Sequence, residues 1–589
     1  MRSSTFKKRK QAAAVLLSAA LIGTGFVAPI HTEAASNIKD RSKLSYGVDY
    51  KKLTYSEGNI KAGIDVMEVN VSDAFTEVQL GKADPLDKLA TVRARANSFN
   101  RSDNQIVGAV NANFFLATKG KVTRPVHLIS EDNRLVYGGY INKDENELVN
   151  KPMAFGIDQA GKGLIDPYNL NLTYTFNGKT RKISHTNRER AENNTILYSS
   201  DFYKTHTDTN QYGTEVVLKG SKNMELTLGS SLALTVDSIR KEGDQKTIPI
   251  SDDYFVLSGH GTASDNLKTM KVGDSVKIDV GMDKQWQGSK FMIAGGPQLV
   301  KDGNVDISMN TGSWNANART SRTAVGVDSK NGKVFFATAD TSLNKGMTIL
   351  ELARLMRELG ADSALNLDGG GSTTMAIRPN NKGELQVVNK LQDGFERGIS
   401  GVLMAADTEP VRIFKDVSYR DDLYPGIRWA KDQGAISGYS DNTFRPYQGL
   451  NRKHGAVIFA KALNLNMTDV NNAGKQFKDV PSTHDYATQI GAVAEAGIFK
   501  GGPDNHFNPE KILTREQMAT TIVSAFNLKS DGLKKVNVNL ANVDSSHREN
   551  VQILADNGVT VTLDDFRPRE AITRGQFATF LKKANEVKK

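Results

Sequence analysis

Apolar positions along this chain follow two different periods, and the change between them divides it. From about residue 37 to residue 407 they come in short runs broken by Gly and Asn, the pattern of strands joined by turns. Residues 106–110, 214–218 and 334–337 each read as a strand. One stretch here keeps a helical spacing instead. Ile349, Leu352, Ala353, Met356 and Leu359 fall on one face and Gly360 follows as a stop, so a helix is predicted over 347–359. Beyond about residue 413 the helical period takes over. The pattern predicts a β-rich α+β domain followed by an all-α unit.

A third pattern opens the chain. The basic cluster Lys7, Lys8, Arg9 and Lys10 precedes an apolar run over 12–28, and Thr32 and Ala34 supply small residues at the −3 and −1 positions before Ala35. A secretory signal is predicted over 1–34. The run is short for a membrane span and no second one follows, so no stable membrane insertion is expected after its removal.

The helical part is repetitive. Phe414, Lys415, Asp416 and Val417 recur as Phe477, Lys478, Asp479 and Val480, and more loosely as Ala541, Asn542, Val543 and Asp544. The turn from Gly438 to Pro446 recurs from Gly501 to Pro509, and in shortened form from Leu563 to Pro568. Each copy closes on a helix carrying Arg452, Arg515 or Arg574 in its first turn. Thr514 with Gln517, and Thr573 with Gln576, have the spacing of capping boxes, whereas Asn451 with His454 does not. An arginine beside the free amides and positive dipole end of a helix favours an anion.

These repeats resemble S-layer homology (SLH) domains, with copies expected over 413–470, 476–530 and 540–585. The resemblance implies three repeats packed with three-fold symmetry, grooves that hold a secondary cell-wall polymer, and Arg452, Arg515 and Arg574 as its ligands. It also implies a secreted protein of the bacterial cell wall or S-layer.

Composition narrows the rest. A chain of 589 residues is too long for one core. Its formal charge of +10 falls to about +6 once the basic leader is removed. That suits an anionic polymer but is too weak and dispersed for nucleic acid. There is no cysteine, so an exported protein here has neither disulfides nor thiolate metal sites, and the nine histidines form no zinc-ligand spacing.

The sharpest local signal of the β-rich part is Asp368, Gly369, Gly370, Gly371, Ser372, Thr373 and Thr374 between apolar segments 364–367 and 375–377. Three glycines let backbone amides approach a ligand, the hydroxyls add donors, and Asp368 supplies a carboxylate. Ahead of it stand Asn111, Ala112, Asn113, Phe114 and Phe115; then Ala294, Gly295, Gly296 and Pro297; then Ser321, Arg322, Thr323 and Ala324; Asn366 adjoins it and Arg397 follows. This ordered series resembles the phosphodiester glycosidase family, over about 104–407, with residues 37–103 as a separate β-rich region lacking any motif. The resemblance implies a hydrolase that cleaves a sugar-1-phosphodiester, of the N-acetylglucosamine type, in surface or wall glycans or exopolysaccharide.

Bond chemistry then gives the residues roles. The leaving group is a phosphomonoester, already a stabilised anion, so a general acid matters less than in ordinary glycosidases. Asp368 is the expected catalytic carboxylate and Arg322 and Arg397 the phosphate clamp, with the Gly369–Gly371 amides, Ser372 and Thr373 completing a cradle. Asn111, Asn113 and Asn366 are expected at sugar hydroxyls, and Gly295, Gly296 and Thr323 in the substrate site through the family motifs. No cofactor is implied. Asp340 and Asp368 leave a divalent cation open, without supporting ligand spacing. Two other readings stand beside the hydrolase: a non-catalytic glycan-binding S-layer protein, and a transferase in surface polysaccharide assembly.

Overall fold

A computed structural model describes residues 35–588 apart from 58, 118–122, 221–223, 344, 380–382, 411 and 468–475. The leader predicted over 1–34 lies outside the described residues. The predicted strands form as Gln105–Asn111, Gly213–Lys219 and Lys333–Asp340. The predicted helix forms as Ile349–Glu358, where Thr348 and Glu351 complete a capping box at its start.

Strands of the β-rich part pair into four larger sheets and one two-stranded ribbon. An eight-stranded sheet runs through Ala35–Ser45, Val48–Glu57, Ile60–Asn70, Lys333–Asp340, Arg322–Asp328, Ser363–Asn366, Gln298–Lys301 and Asn304–Val305. A five-stranded sheet orders Gln386–Val387, Met375–Ile377, Gln105–Asn111, Gly401–Asp407 and Thr76–Lys82. One shared core joins them, with Met67, Phe336 and Leu365 from the first packed among Val107, Met375 and Leu403 of the second. Helix Ile349–Glu358 covers the other face of the eight-stranded sheet through Leu352, Leu355 and Met356. A second eight-stranded sheet, built from strands between Asn171 and Gly281, has its own core around Trp286, Tyr174 and Leu257.

Residues 37–103 are not a region apart. Ile60–Asn70 is hydrogen-bonded along its length to Lys333–Asp340, and Thr76–Lys82 to Gly401–Asp407. Their hydrophobic faces fill the same core as the 104–407 segment. Alternating side chains of a strand mark its buried face but not its partner, so sequence alone showed two stretches where the fold has one.

The described C-terminal residues contain six helices of nine residues or more, two per repeat, and isolated bridges rather than ladders. The repeats close on one another. Leu450 N–H donates to the Ile572 carbonyl, Ile572 N–H to Leu513, and Leu513 N–H to Leu450, each at 2.9 Å. This triangle of backbone bonds lies on a pseudo-three-fold axis, with Phe459, Ile522 and Phe577 buried around it. Arg420 of the first repeat, ion-paired to Asp73 and Glu409, ties the ring to the β-rich part.

Candidate active site

The Asp368 turn is a crossing between sheets. Ser363–Asn366 belongs to the eight-stranded sheet and Met375–Ile377 to the five-stranded one, so the chain passes from one to the other through this bend. Two of its glycines are needed for different reasons. Gly370 has φ +61°, a conformation that L side chains rarely adopt. At Gly371 the cause is space: a Cβ would lie 2.0 Å from Arg397 Nη2 and 2.1 Å from Asp393 Oδ2.

Asp368 remains part-exposed while protein surrounds most of its carboxyl group. Burial pushes it up to about 6, opposed by hydrogen bonds from Ser372 and the Gly369 amide and by the charge of Arg397. The Gly369 N–H donates to Asp368 Oδ1 at 3.0 Å. Arg322 is 3 % exposed. Its Nε donates to the Met347 carbonyl at 3.2 Å, and one terminal nitrogen to Asn315 and Ala318 at 3.1 and 2.8 Å. Desolvation lowers it to about 10, and among the described residues it forms no salt bridge. A buried cation without a carboxylate thus stands beside the bend: a Cβ on Gly369 would lie 3.9 Å from Arg322 Cδ. Arg397 is more exposed and ion-paired to Asp393.

Several expected ligands instead hold the bend from behind. Asn111 donates to the Asp368 carbonyl at 2.6 Å and accepts from Thr323 Oγ1 at 2.8 Å and from the Thr374 amide at 3.1 Å. Asn366 donates to the Gly296 carbonyl at 2.7 Å. A Cβ on Gly295 would lie 3.0 Å from the Asn366 carbonyl, and one on Gly296 would lie 2.7 Å from Leu148 O. Asn113 donates to Ser400 Oγ at 3.2 Å, while its Oδ1 is buried without a partner. Asn111 and Asn366 are at most 1 % exposed, which corrects the expectation that they face sugar hydroxyls, and Thr323, fully buried, is a brace of Asn111 and not the substrate-site residue expected. The expected amide cradle is corrected too. Gly369 N–H is held by Asp368 itself, Gly370 N–H by Ser321 O at 2.8 Å, and Thr373 N–H by Gly370 O at 3.1 Å. So tight a bend satisfies most of its own donors.

Asn389 and Gln392, which no motif marks, and Asp340, which the sequence offered only as a cation ligand, support the bend and its neighbouring loops. Asn389 donates to the Thr373 carbonyl at 3.0 Å and accepts from the Met375 amide at 2.7 Å. Gln392 accepts from Thr320 Oγ1 and the Ser321 amide. Both oxygens of Asp340 accept backbone amides, of Ser342 at 2.8 Å and Lys390 at 2.7 Å. Isolated Asn and Gln residues in loops gave no signal of this. Among the described residues no group of three His, Asp or Glu is placed to hold a metal ion.

The three repeat arginines share one geometry. Nε of Arg452, Arg515 and Arg574 donates to the carbonyl of Phe507, Phe566 and Phe444 at 2.7, 2.7 and 2.9 Å, each phenylalanine belonging to the next repeat around the ring. Each guanidinium lies over that same ring, at 4.6, 5.1 and 4.8 Å from its centre. The helix amides expected to attract an anion are engaged: those of Arg452, Arg515 and Arg574 donate to Lys511, Glu570 and Gln448, each at 2.9 Å. Both capping boxes form, and Asn451 makes no side-chain cap.

Comparison with known families now decides the organisation. A phosphodiester glycosidase model matches residues 231–405, and an S-layer homology domain model matches 413–453, 476–519 and 542–578. The chain carries a phosphodiester glycosidase domain followed by three SLH repeats. The glycosidase match takes in the Asp368 turn and both arginines, whereas the Asn111 strand precedes it. S-layer protein EA1 of Bacillus anthracis is 32% identical over 203 residues, 32% of this chain and 23% of its own. The cellulosome-anchoring protein of Acetivibrio thermocellus is 40% identical over 89 residues, 14% of this chain and 19% of its own. This chain thus spans about a quarter or less of the length of these curated relatives. A hypothetical protein from Synechocystis shares the fold, with a TM-score of 0.50 at 17% identity over 63% of this chain and 64% of that one. The SLH repeats and the S-layer relatives make this a secreted, wall-associated bacterial surface protein.

Proposed function

We propose that this chain is a wall-anchored hydrolase of sugar-1-phosphodiester bonds, of the N-acetylglucosamine type, in wall or surface glycans. The observation that carries the reading is a raised carboxyl, Asp368, under the charge of Arg397, at a bend whose Gly369 packs near the side chain of the buried Arg322. In its ionised form Asp368 takes the proton of a water attacking the anomeric carbon. The bond from that carbon to the bridging oxygen breaks, and its electron pair leaves with the phosphomonoester. Arg322 and Arg397 offset the charge gathering on the phosphate. The SLH ring holds secondary wall polymer and keeps the domain beside its substrate.

A second reading has its own support: the engaged amides of Gly369 and Gly370 leave a bend with fewer donors for an anion than its sequence offered. That reading is a glycan-binding surface protein without turnover. Release of N-acetylglucosamine from UDP-N-acetylglucosamine or from wall glycans by the full chain, lost in Asp368→Asn, supports the hydrolase. Saturable binding with no product from either substrate overturns it in favour of the second reading.

A further inference from the structure

A cavity of about 620 Å³ lies away from the Asp368 bend, between two loop systems. One wall is the segment from Gly138 to Pro152, and the other comes from the stretch leading into Asn171–Phe176, with Tyr168 and Leu172, and from the turn between Lys179–Lys182 and His185–Thr186, with Lys182 and His185. Four features make it more than a dent. Lys143, Lys151 and Lys182 line it, and among the described residues none of them forms a salt bridge, while Glu145 is the one acid in the lining. Tyr140 also lines it, 50% exposed and edge-on to His185. Asn150 is 7% exposed; its amide nitrogen donates to Glu147 O at 2.9 Å, which orients the group, and its Oδ1 has no partner in the protein. His185 Nδ1 is likewise buried without a partner.

The lining has a chemical complement. Three unpaired ammonium groups call for an anion, and an open tyrosine face suits the apolar face of a pyranose. An unfilled amide oxygen calls for hydroxyl donors. His185 is held neutral by burial, which lowers it to about 4, so its ring nitrogen adds no positive charge and can accept a hydroxyl. Sugar units that carry phosphate satisfy all of these together. The cavity also connects to the candidate active site through packed backbone. The Glu145 carbonyl accepts from Asn310 N–H at 2.8 Å, Asn146 O accepts from Asn315 Nδ2 at 3.0 Å, and the Asn315 carbonyl holds Arg322.

We propose that this cavity is a distal subsite that binds a phosphate-bearing sugar unit of the polymer, away from the bond being cleaved. The proposal rests on the hydrolase reading for its place in the reaction but not for the binding itself. A long polymer fills both places, whereas UDP-N-acetylglucosamine reaches only the Asp368 bend.

The test uses the full chain with Lys143, Lys151 and Lys182 all changed to Ala, and separately Tyr140→Ala. These side chains are exposed or lie at the cavity mouth, and circular dichroism checks the fold. Hydrolysis is followed on isolated phosphodiester-linked wall glycan and on UDP-N-acetylglucosamine. Binding of a fluorescent hexameric N-acetylglucosamine-1-phosphate oligomer is measured in an Asp368→Asn background, with and without the lysine changes, so the SLH contribution is common to both. The expected result is a KM for wall glycan raised at least tenfold with kcat kept, unchanged kinetics on UDP-N-acetylglucosamine, and oligomer binding weakened at least tenfold. Unchanged oligomer binding together with unchanged polymer KM overturns the subsite, whatever the enzyme does. An equal loss on both substrates also overturns it, since the lysines then act on the bend. If neither substrate is turned over but oligomer binding still depends on the lysines, the subsite stands and the hydrolase reading falls.

Discussion

The glycosidase bend and the SLH ring meet the same problem in opposite ways. Both were expected to offer backbone amides to an anion beside an arginine, and in both the protein already occupies most of those amides. In the ring the occupant is the next repeat, and the arrangement appears three times: guanidinium on a phenylalanine ring, Nε on its carbonyl, first-turn amide on the following loop. At the bend the occupant is local, and every group is unique. Asp368, Gly371 and Arg322 have no second copy to share their task. Repetition gives the ring three equivalent arginine sites, whereas each group at the bend occurs once.

The comparison breaks most sharply at Asp368. Asp368→Asn is expected to cut turnover of UDP-N-acetylglucosamine by about 10³-fold or more, measured as released N-acetylglucosamine. The same change is expected to stabilise the fold at neutral pH. Because the native carboxyl titrates near 6 and the unfolded one near 3.8, the native state holds this proton more tightly. Ionisation therefore costs stability above pH 6, and that cost disappears as pH falls from 6 towards 4. Removing the charge is expected to raise stability at pH 7.5 by about 1–2 kcal/mol and by little at pH 4, read from denaturant melts at the two pH values. Activity of the unmodified chain is expected to rise with pH through about 6, as the carboxylate forms. A flat profile from 5 to 7 would separate Asp368 from the chemistry.

Gly371→Ala comes next. Its Cβ would displace the Arg397–Asp393 pair, so we expect about a 10²-fold fall in kcat/KM with a small change in melting temperature. A large loss of stability with little loss of activity would make the third glycine a folding requirement only.

In the ring, single changes are expected to act on stability before binding. Arg574→Ala leaves the buried Phe444 carbonyl without its donor, at a cost of about 1–3 kcal/mol in denaturant unfolding. Wall-polymer binding is expected to fall only severalfold in a single variant and to vanish when Arg452, Arg515 and Arg574 are all replaced. Complete loss on one replacement would show that one groove carries the anchor. The smallest effect distinguishes the repeats themselves. Thr514→Ala removes a formed capping box and is expected to cost about 1 kcal/mol, whereas Asn451→Ala, which removes no side-chain cap, is expected to cost a few tenths.

Much of this was legible in the chain. Apolar spacing gave the helix ending near Glu358, the strands around Val107, Val217 and Phe336, and the change to helices near residue 413. The repeat pattern gave the three arginines equivalent places, and the capping boxes at Thr514 and Thr573 formed as spaced. These features depend on neighbours within a few residues, so the local sequence encodes them.

Tertiary structure decided the rest. It set Ile60–Asn70 against Lys333–Asp340, made the Asp368 bend a passage between two sheets, and put Asn111 and Asn366 behind it as braces. It also decided which donors stayed free. An amide in a loop looks available in any sequence, and only the approach of a distant carbonyl, such as Ser321 at Gly370 or Glu570 at Arg515, determines whether it is. Periodicity fixes which side of an element is buried; what is buried against it, and which polar groups remain for a ligand, depends on contacts hundreds of residues apart in the chain.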